Sequence, residues 1–135
     1  MDRSCGGRKG VDGLSSDIWL RTPPIDLSTA SGATLTFQHW VDIDPFETAG
    51  VVADKGTVRV LDASALPTVS VLETLGAPIT GLDPAGWVGF SADFTAASLG
   101  KSVVLEFVFV SDNDDDSGNQ VSSGWYLDDV MVTVP

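Results

Sequence analysis

Short runs of β-branched and aromatic residues follow one another from Ile18 to the end of the chain, separated by glycine, proline and acidic residues typical of turns. In the clearest run, residues 33–42, the odd positions hold Ala, Leu, Phe, His and Val, and the even positions hold Thr, Thr, Gln, Trp and Asp. Because successive side chains of a strand point to opposite faces, this alternation predicts a strand with a buried odd face. His39 is then a core residue, and Trp40 lies on the outer face.

Five further strands are predicted, at 56–62, 68–75, 87–94, 102–110 and 125–134. The run 102–110 is apolar on both faces, which is typical of a central strand. Helix signals are nearly absent: the one candidate, 63–75, is interrupted by Pro67 and continues with β-branched residues, so a strand is favoured and a helix is the alternative. The pattern predicts an all-β, two-sheet sandwich.

The chain has 135 residues, 43% of them hydrophobic and 19% charged, which suits one globular domain with a single core. Residues 1–17 are rich in Gly and Ser and carry little apolar content. We therefore expect a flexible Gly-rich leader, or a remnant of a first strand, at 1–17 and a β-sandwich domain at 18–135.

The charge and composition exclude several classes of partner and site. A net charge of −12 repels phosphate backbones, so nucleic acid is not an expected partner. No apolar run approaches the ~18 residues that span a bilayer, and the N-terminal residues lack the apolar segment of a signal peptide, so we expect no membrane insertion. The single cysteine, Cys5, cannot form an internal disulfide or a thiolate zinc site.

Three acidic segments carry candidate calcium ligands, because calcium takes about six to eight oxygen ligands and short carboxylates on turns supply them. The segment that starts at Asp112 is not an EF-hand, since Ser123 stands where the closing glutamate belongs. Ordinary solvated acidic turns are the alternative for the loop segments. The candidates are Asp42 and Asp44 after the 33–42 strand, Asp112 and Asp114 in the segment 111–119, and the pair Asp128 and Asp129.

The pair Asp128 and Asp129 lies inside an otherwise apolar strand. Strict alternation puts Asp128 on the face of Val130 and Asp129 on the face of Leu127, so one of the two carboxylates should face the core. A buried carboxylate is costly unless it binds a metal or accepts hydrogen bonds, and both explanations stay open.

The four tryptophans supply a candidate binding surface, since indole rings stack on the apolar faces of sugars as well as filling cores. Trp40 is the candidate ligand-binding residue because it lies on the polar face of its strand. Trp125, in contrast, is expected to pack inside.

The sequence carries no catalytic signature. Its only histidine, His39, lies on an apolar face, where a hydrogen-bonded core residue is favoured over a general base. It contains no Gly-x-Ser-x-Gly, no His-Glu-x-x-His and no phosphate-binding glycine loop. We expect a protein that is not an enzyme, with a glycoside hydrolase that uses paired carboxylates as the alternative.

Four segments in order resemble MAM-like jelly-roll modules, which are accessory domains of secreted bacterial proteins, including immune-inhibitor-A-type metallopeptidases. They are LRTPPIDLS at 20–28, ATLTFQHW at 33–40, GTVRV at 56–60 and SGWYLDDV at 123–130. The resemblance implies a two-sheet antiparallel jelly roll of the concanavalin-like or galactose-binding-like kind and an extracellular or cell-surface location. It also implies no catalysis by the module and a structural calcium at Asp128, Asp129 and the carboxylates that follow the 33–42 strand.

Modules of this kind begin with one or two more strands, whereas only the Gly-rich leader precedes Leu20 here. A missing first strand leaves a sheet edge unpaired beside the strand that carries Val130, Val132 and Val134. A second copy that pairs with this edge gives a homodimer, and a leader folded back over the edge is the alternative.

The sequence therefore predicts a non-catalytic binding or adhesion module that contacts carbohydrate or a protein surface near Trp40 and holds a structural calcium. The alternative function is that of a small acidic assembly protein that homodimerises through an unpaired sheet edge.

Overall fold

The computed structural model describes residues 16–43, 54–81, 86–111 and 124–135, and these residues form eight β-strands and one 3-10 turn, with no α-helix. The 3-10 turn, Ala63–Ala65, follows the fourth strand, and the Asp62 side chain caps it by accepting a hydrogen bond from the Ser64 amide. The strands are β1 (Ser16–Arg21), β2 (Ile25–Asp26), β3 (Thr34–Asp42), β4 (Lys55–Asp62), β5 (Val71–Ile79), β6 (Val88–Asp93), β7 (Ser102–Ser111) and β8 (Gly124–Thr133).

The strands form two antiparallel sheets, which confirms the predicted all-β sandwich. One sheet has the order β1-β7-β4-β5, with the short β2 also paired to β7, and the other has the order β6-β3-β8. From β2 onward the chain changes sheet at every connection except the one between β4 and β5, which is the alternation of a jelly roll. The predicted central strand, β7, pairs with β1 and β2 on one side and β4 on the other.

The six predicted strands hold within a few residues, with one exception at the turn after β4, whereas β1 and β2 were not predicted. The helix considered for 63–75 is wrong: its first part is the 3-10 turn, and β5 begins only at Val71. Pro67 explains this, since proline has no amide hydrogen to donate and interrupts both helix and strand. β1 begins at Ser16, within the last two residues of the expected leader at 1–17, and residues 1–15 lie outside the described residues.

The core between the sheets is built around Phe37 of β3, whose side chain is 1% exposed. Its ring stacks on Phe90 at 4.4 Å between centroids and meets Phe107 edge-on at 5.5 Å. Such aromatic pairs add about 0.5–1.5 kcal/mol beyond the burial of their surface. Phe37 thus contacts one aromatic ring of its own sheet and one of the opposite sheet.

The outward face of the five-stranded sheet buries a carboxylate, Glu106 of β7, which is 0% exposed. The strand register places Arg21 of β1 and Arg59 of β4 on either side of it. Arg21 Nε donates to Oε2 at 2.8 Å, and Arg59 donates to Oε1 through Nε at 2.7 Å and through a second guanidinium nitrogen. Two cations therefore share one buried anion across three strands, which offsets the cost of removing it from water.

Strand β8 contains a β-bulge. Thr36 pairs with Met131 and Gln38 pairs with Asp128, so one residue of β3 opposes two residues of β8. Asp129 sits in the bulge with φ of 56°, the left-handed conformation that aspartate tolerates better than most residues.

The bulge overturns the expectation that one carboxylate of the Asp128–Asp129 pair faces the core, because both side chains are exposed. The extra residue shifts the alternation by one position, so that Leu127 before the bulge and Val132 after it both pack on the core. Strict alternation would have put these two residues on opposite faces. Neither carboxylate needs a buried partner.

We expect Glu106→Gln to lower the free energy of unfolding by about 2–3 kcal/mol, because two arginines then face an uncharged amide. Chemical denaturation at pH 7 measures the change. The control is Asp93→Asn, an exposed carboxylate that accepts one hydrogen bond from Thr34 and should cost under about 1 kcal/mol. Equal effects of the two substitutions would contradict the role given to Glu106.

Candidate functional site

Three aromatic side chains form a row across the outer face of the three-stranded sheet. Trp40 lies on the central strand β3, and the register places Tyr126 of β8 directly beside it. On the other side Trp40 meets Trp87, the residue just before β6, with ring centroids 6.2 Å apart. We call Tyr126, Trp40 and Trp87 the aromatic row. Strand pairing positions Trp40 and Tyr126, because neighbouring strands bring paired residues to within about 5 Å of each other on one face. Trp87 is positioned next to them because it directly precedes Val88, which pairs with His39.

The aromatic row is open to solvent at both ends. Trp87 is 49% exposed and Tyr126 is 46% exposed, whereas Trp40 is half-buried between them. The prediction that Trp40 lies on the outer face is confirmed. The expectation that it is the exposed tryptophan is wrong, because Trp87 packs against it and is itself the more exposed of the two.

A polar row runs beside the aromatic row, two residues further along the strands. Gln38 of β3 pairs with Gly89 of β6 on one side and with Asp128 of β8 on the other. Gly89 has no side chain, and a Cβ built there would lie 3.4 Å from the Gln38 amide nitrogen. Because Gly89 has no side chain, no group projects from the sheet at this position, and the Gln38 amide is not covered from that side.

The site thus combines apolar ring faces with an amide and a carboxylate at its side. The Asp128 carboxylate accepts a hydrogen bond from the Asp129 amide at 2.8 Å, which fixes its orientation within the polar row. The rings of Trp40 and Trp87 are inclined at 72°, so the aromatic row forms an angled surface rather than a flat one. Apolar surface flanked by a few oriented polar groups is the usual composition of a ligand site.

His39 lies on the opposite face of β3, beneath this surface, and is 7% exposed. Its Nδ1 accepts a hydrogen bond of 3.0 Å from Trp125 Nε1, and its ring meets Phe37 edge-on. Burial lowers the pKa of His39 below its usual value, because the charged imidazolium would lose its hydration. The predictions of a hydrogen-bonded core histidine and of a packed Trp125 are confirmed.

The predicted metal ligands divide into two groups. Asp44, Asp112 and Asp114 lie outside the described residues. Asp42 pairs with Gly124 on β8, four residues and therefore about 13 Å along the strand from Asp128, so these two carboxylates do not share one ion. Across the parts of the chain that the structure describes, no three histidine, cysteine or carboxylate side chains are grouped as a metal site. Calcium stays a prediction that concerns the loop carboxylates.

Sequence reasoning proposed Trp40 as a candidate but did not propose Trp87 or Tyr126. The sequence gives the face of each residue within its strand, whereas the aromatic row depends on which residues of three separate strands lie side by side. The pair Trp125–Tyr126 does contain a usable signal: adjacent residues of a strand point to opposite faces, so one of these two aromatic side chains is expected on the outer face.

Neither the scan against protein-family models nor the search of curated proteins found a match to this chain. In the residues with described structure, no helix has the length and apolar character needed to cross a bilayer.

We expect the protein to lose stability as the pH falls from 7 to 5, by at most about 1.4 kcal/mol per pH unit. Below the ordinary histidine pKa of 6.5 the unfolded chain binds a proton, whereas folded His39, with its lowered pKa, stays neutral until a lower pH. The unfolded state is therefore favoured in this window. Thermal unfolding at half-unit pH steps measures the effect.

The matched variant is His39→Gln, which offers an amide oxygen to Trp125 and does not titrate between pH 5 and 7. It should remove the slope of stability against pH in that range, because His39 is the only histidine. The pKa values of Asp26 and Asp62 are held low by hydrogen bonds from Ser28 and Ser64, so these carboxylates titrate well below the window. An unchanged slope in His39→Gln would contradict the assignment.

Proposed function

We propose that the protein is a non-catalytic carbohydrate-binding module whose ligand stacks on the aromatic row and is oriented by the polar row beside it. The observation that carries the proposal is the alignment of Tyr126, Trp40 and Trp87 across three strands on a solvent-facing sheet surface. Exposed large aromatics in a contiguous group are uncommon on soluble domains unless they bind something. In this protein the hydrogen-bonding side chains of the polar row, Gln38 and Asp128, lie directly beside the aromatic row.

The charge of the chain favours neutral sugars. A net charge of −12 repels sulfated and uronic-acid polymers, and Asp128 places one carboxylate at the site itself. A carboxylate and an amide side by side accept and donate hydrogen bonds to sugar hydroxyl groups. Neutral oligosaccharides therefore fit the site better than anionic ones.

The angle between the rings favours soluble glycans over flat crystalline polysaccharide. Rings inclined at 72° cannot lie together on one flat surface, but they can contact two faces of a turning chain. The expected ligand is a short neutral oligosaccharide that bends across the sheet. The extracellular location and the relation to MAM-like modules are further parts of this proposal that rest on the sequence resemblance alone. The structural calcium is a further part that rests on the resemblance and on the acidic segments of the sequence.

We expect Trp87→Ala to weaken binding of a neutral oligosaccharide at least tenfold, because it removes one of the two exposed rings of the aromatic row. Isothermal titration calorimetry with cello-, xylo-, manno- and galacto-oligosaccharides measures the affinity. Gln38→Ala should weaken binding less, since it removes a hydrogen-bonding group at the side of the surface.

The control is Trp19→Ala. Trp19 is 55% exposed, comparable to Trp87, but it lies on the outer face of the other sheet beneath the Arg21 guanidinium. Binding should be unchanged in this variant. Loss of affinity in Trp19→Ala equal to that in Trp87→Ala, or failure of the unmodified protein to bind any neutral oligosaccharide of the panel, would contradict the proposal.

A further inference from the structure

Within the described part of the chain, two sheet edges lie next to each other without strand partners. Strand β8 pairs only with β3, so its other edge is open, and β1 pairs only with β7. These are the corresponding edges of the two sheets, on the side of the sandwich away from β5 and β6. Unpaired edges offer amide and carbonyl groups to another strand.

The inner face of β1 is also uncovered. Leu20 pairs with Phe107, a core residue, so its side chain points to the core side of the sheet, yet it is 62% exposed. Ile18 shares this face and is 37% exposed. The next residue after Leu20, Arg21, contacts Glu106 on the outer face, which confirms the assignment of faces. Two aliphatic side chains therefore face the position of an absent strand in the opposite sheet.

Ile18 and Leu20 are exposed because β8 does not extend over β1. At the end of the sandwich where β8 begins, Trp125 packs against Phe107 of β7, with ring centroids 6.1 Å apart, and against Gly56 of β4, where a Cβ would lie 2.6 Å from its ring. β8 therefore lies over β7 and β4, and β1 extends beyond it by one strand. We call this place the step: the open edge of β8 lies in one layer, and the inner face of β1, with Ile18 and Leu20, lies in the other.

This step is complementary to itself. A twofold axis parallel to the strands, passing through the step, places β1 of a second copy beside β8 of the first, in the layer that β8 occupies. The inner faces of the two β1 strands then meet, with Leu20 of one copy against Leu20 of the other. Each layer becomes one continuous sheet made of the five-stranded sheet of one copy and the three-stranded sheet of the other.

We propose that the chain forms a homodimer in which β1 of each copy fills the step of the other and pairs, parallel, with the Gly124–Asp128 part of β8. The bulge at Asp129 ends the regular part of β8, and the segment before it, Gly124–Asp128, is one residue shorter than the six residues of β1. The contact occurs twice across one axis, which brings two short strands toward the ~800 Å² per partner of a stable interface.

Other occupants fit the step less well. Direct pairing of two β8 strands is blocked, because the protruding β1 of each copy would overlap β7 of the other. The flanking sequence segments are poor in aliphatic side chains: 1–15 has only Met1, Val11 and Leu14, and 112–123 has only Val121. An apolar strand surface needs alternating apolar residues opposite it, and β1 supplies them as Ile18 and Leu20.

The charge of the protein gives the dimer a salt signature. Two copies with a net charge of −12 each repel one another, and the contact itself is apolar and backbone-paired. Raising NaCl from 50 to 500 mM should therefore strengthen the dimer. An interface held by ion pairs would weaken instead, and that result would overturn the proposal.

The first experiment is sedimentation velocity over a range of protein concentrations, with Leu20→Lys as the variant. We expect a concentration-dependent dimer whose dissociation constant rises at least tenfold in Leu20→Lys, because the lysines would meet across the axis. Leu20 is already mostly exposed, so circular dichroism and thermal unfolding should show an intact fold. The control is Met131→Lys, which alters an aliphatic side chain of similar exposure, 57%, on the outer face of β8.

The second experiment is site-specific crosslinking in a Cys5→Ser background. Leu20→Cys should give a covalent dimer with a short bis-maleimide, because the two positions face each other across the axis. Trp19→Cys, one residue earlier and on the opposite face, should not. A monomer at all concentrations, a dimer unaffected by Leu20→Lys, or equal crosslinking at both positions would overturn the proposal. A monomer that dimerises only after residues 1–15 are deleted would show that this segment fills the step and would overturn it as well.

Discussion

The buried ion group on β7 is the constraint on which the arrangement of the larger sheet depends. The buried Glu106 carboxylate is paired with Arg21 on one side and Arg59 on the other, and these two pairs require β1, β7 and β4 to lie in one register. A shift of either neighbour by one residue would turn its arginine to the core and leave the buried carboxylate with only the other arginine as a partner. The same register sends Phe107 inward, where it meets Phe37 of the opposite sheet. The position of one sheet over the other therefore follows from an interaction on the outer face.

In the smaller sheet, the bulge in β8 determines which side chains face the core. Before the bulge, Trp125 and Leu127 point inward and Tyr126 points outward; after it, Val132 points inward. One residue in the left-handed conformation lets a ten-residue strand keep apolar side chains on the core along its whole length. It also ends the regular part of the open edge, which limits how long a strand can pair there.

The sequence was sufficient for six of the eight described strands, because alternation within one segment is a local property, but it did not predict β1 or β2. It predicted the inward face of β3, including His39, and the apolar character of β7 on both faces. It misjudged Asp128 and Asp129, because a bulge changes the alternation and leaves no clear mark in composition. It proposed Trp40 without Trp87 and Tyr126, because neighbours across strands are set by register. The Glu106 group was missed for the same reason: its three members are 85 and 47 residues apart in the pairs that bind.

The two proposed surfaces are compatible and together suggest a mode of action. The aromatic row lies on the outer face of the three-stranded sheet, whereas the step lies at the side edge of the sandwich, so pairing of two copies leaves Trp87 and Trp40 uncovered. The twofold axis exchanges the two layers, which puts the three-stranded sheets of the two copies on opposite faces of the dimer. The two aromatic rows then point in opposite directions. Such a dimer cannot place both rows on one flat surface; under the proposed function its two rows would bind two separate glycan chains.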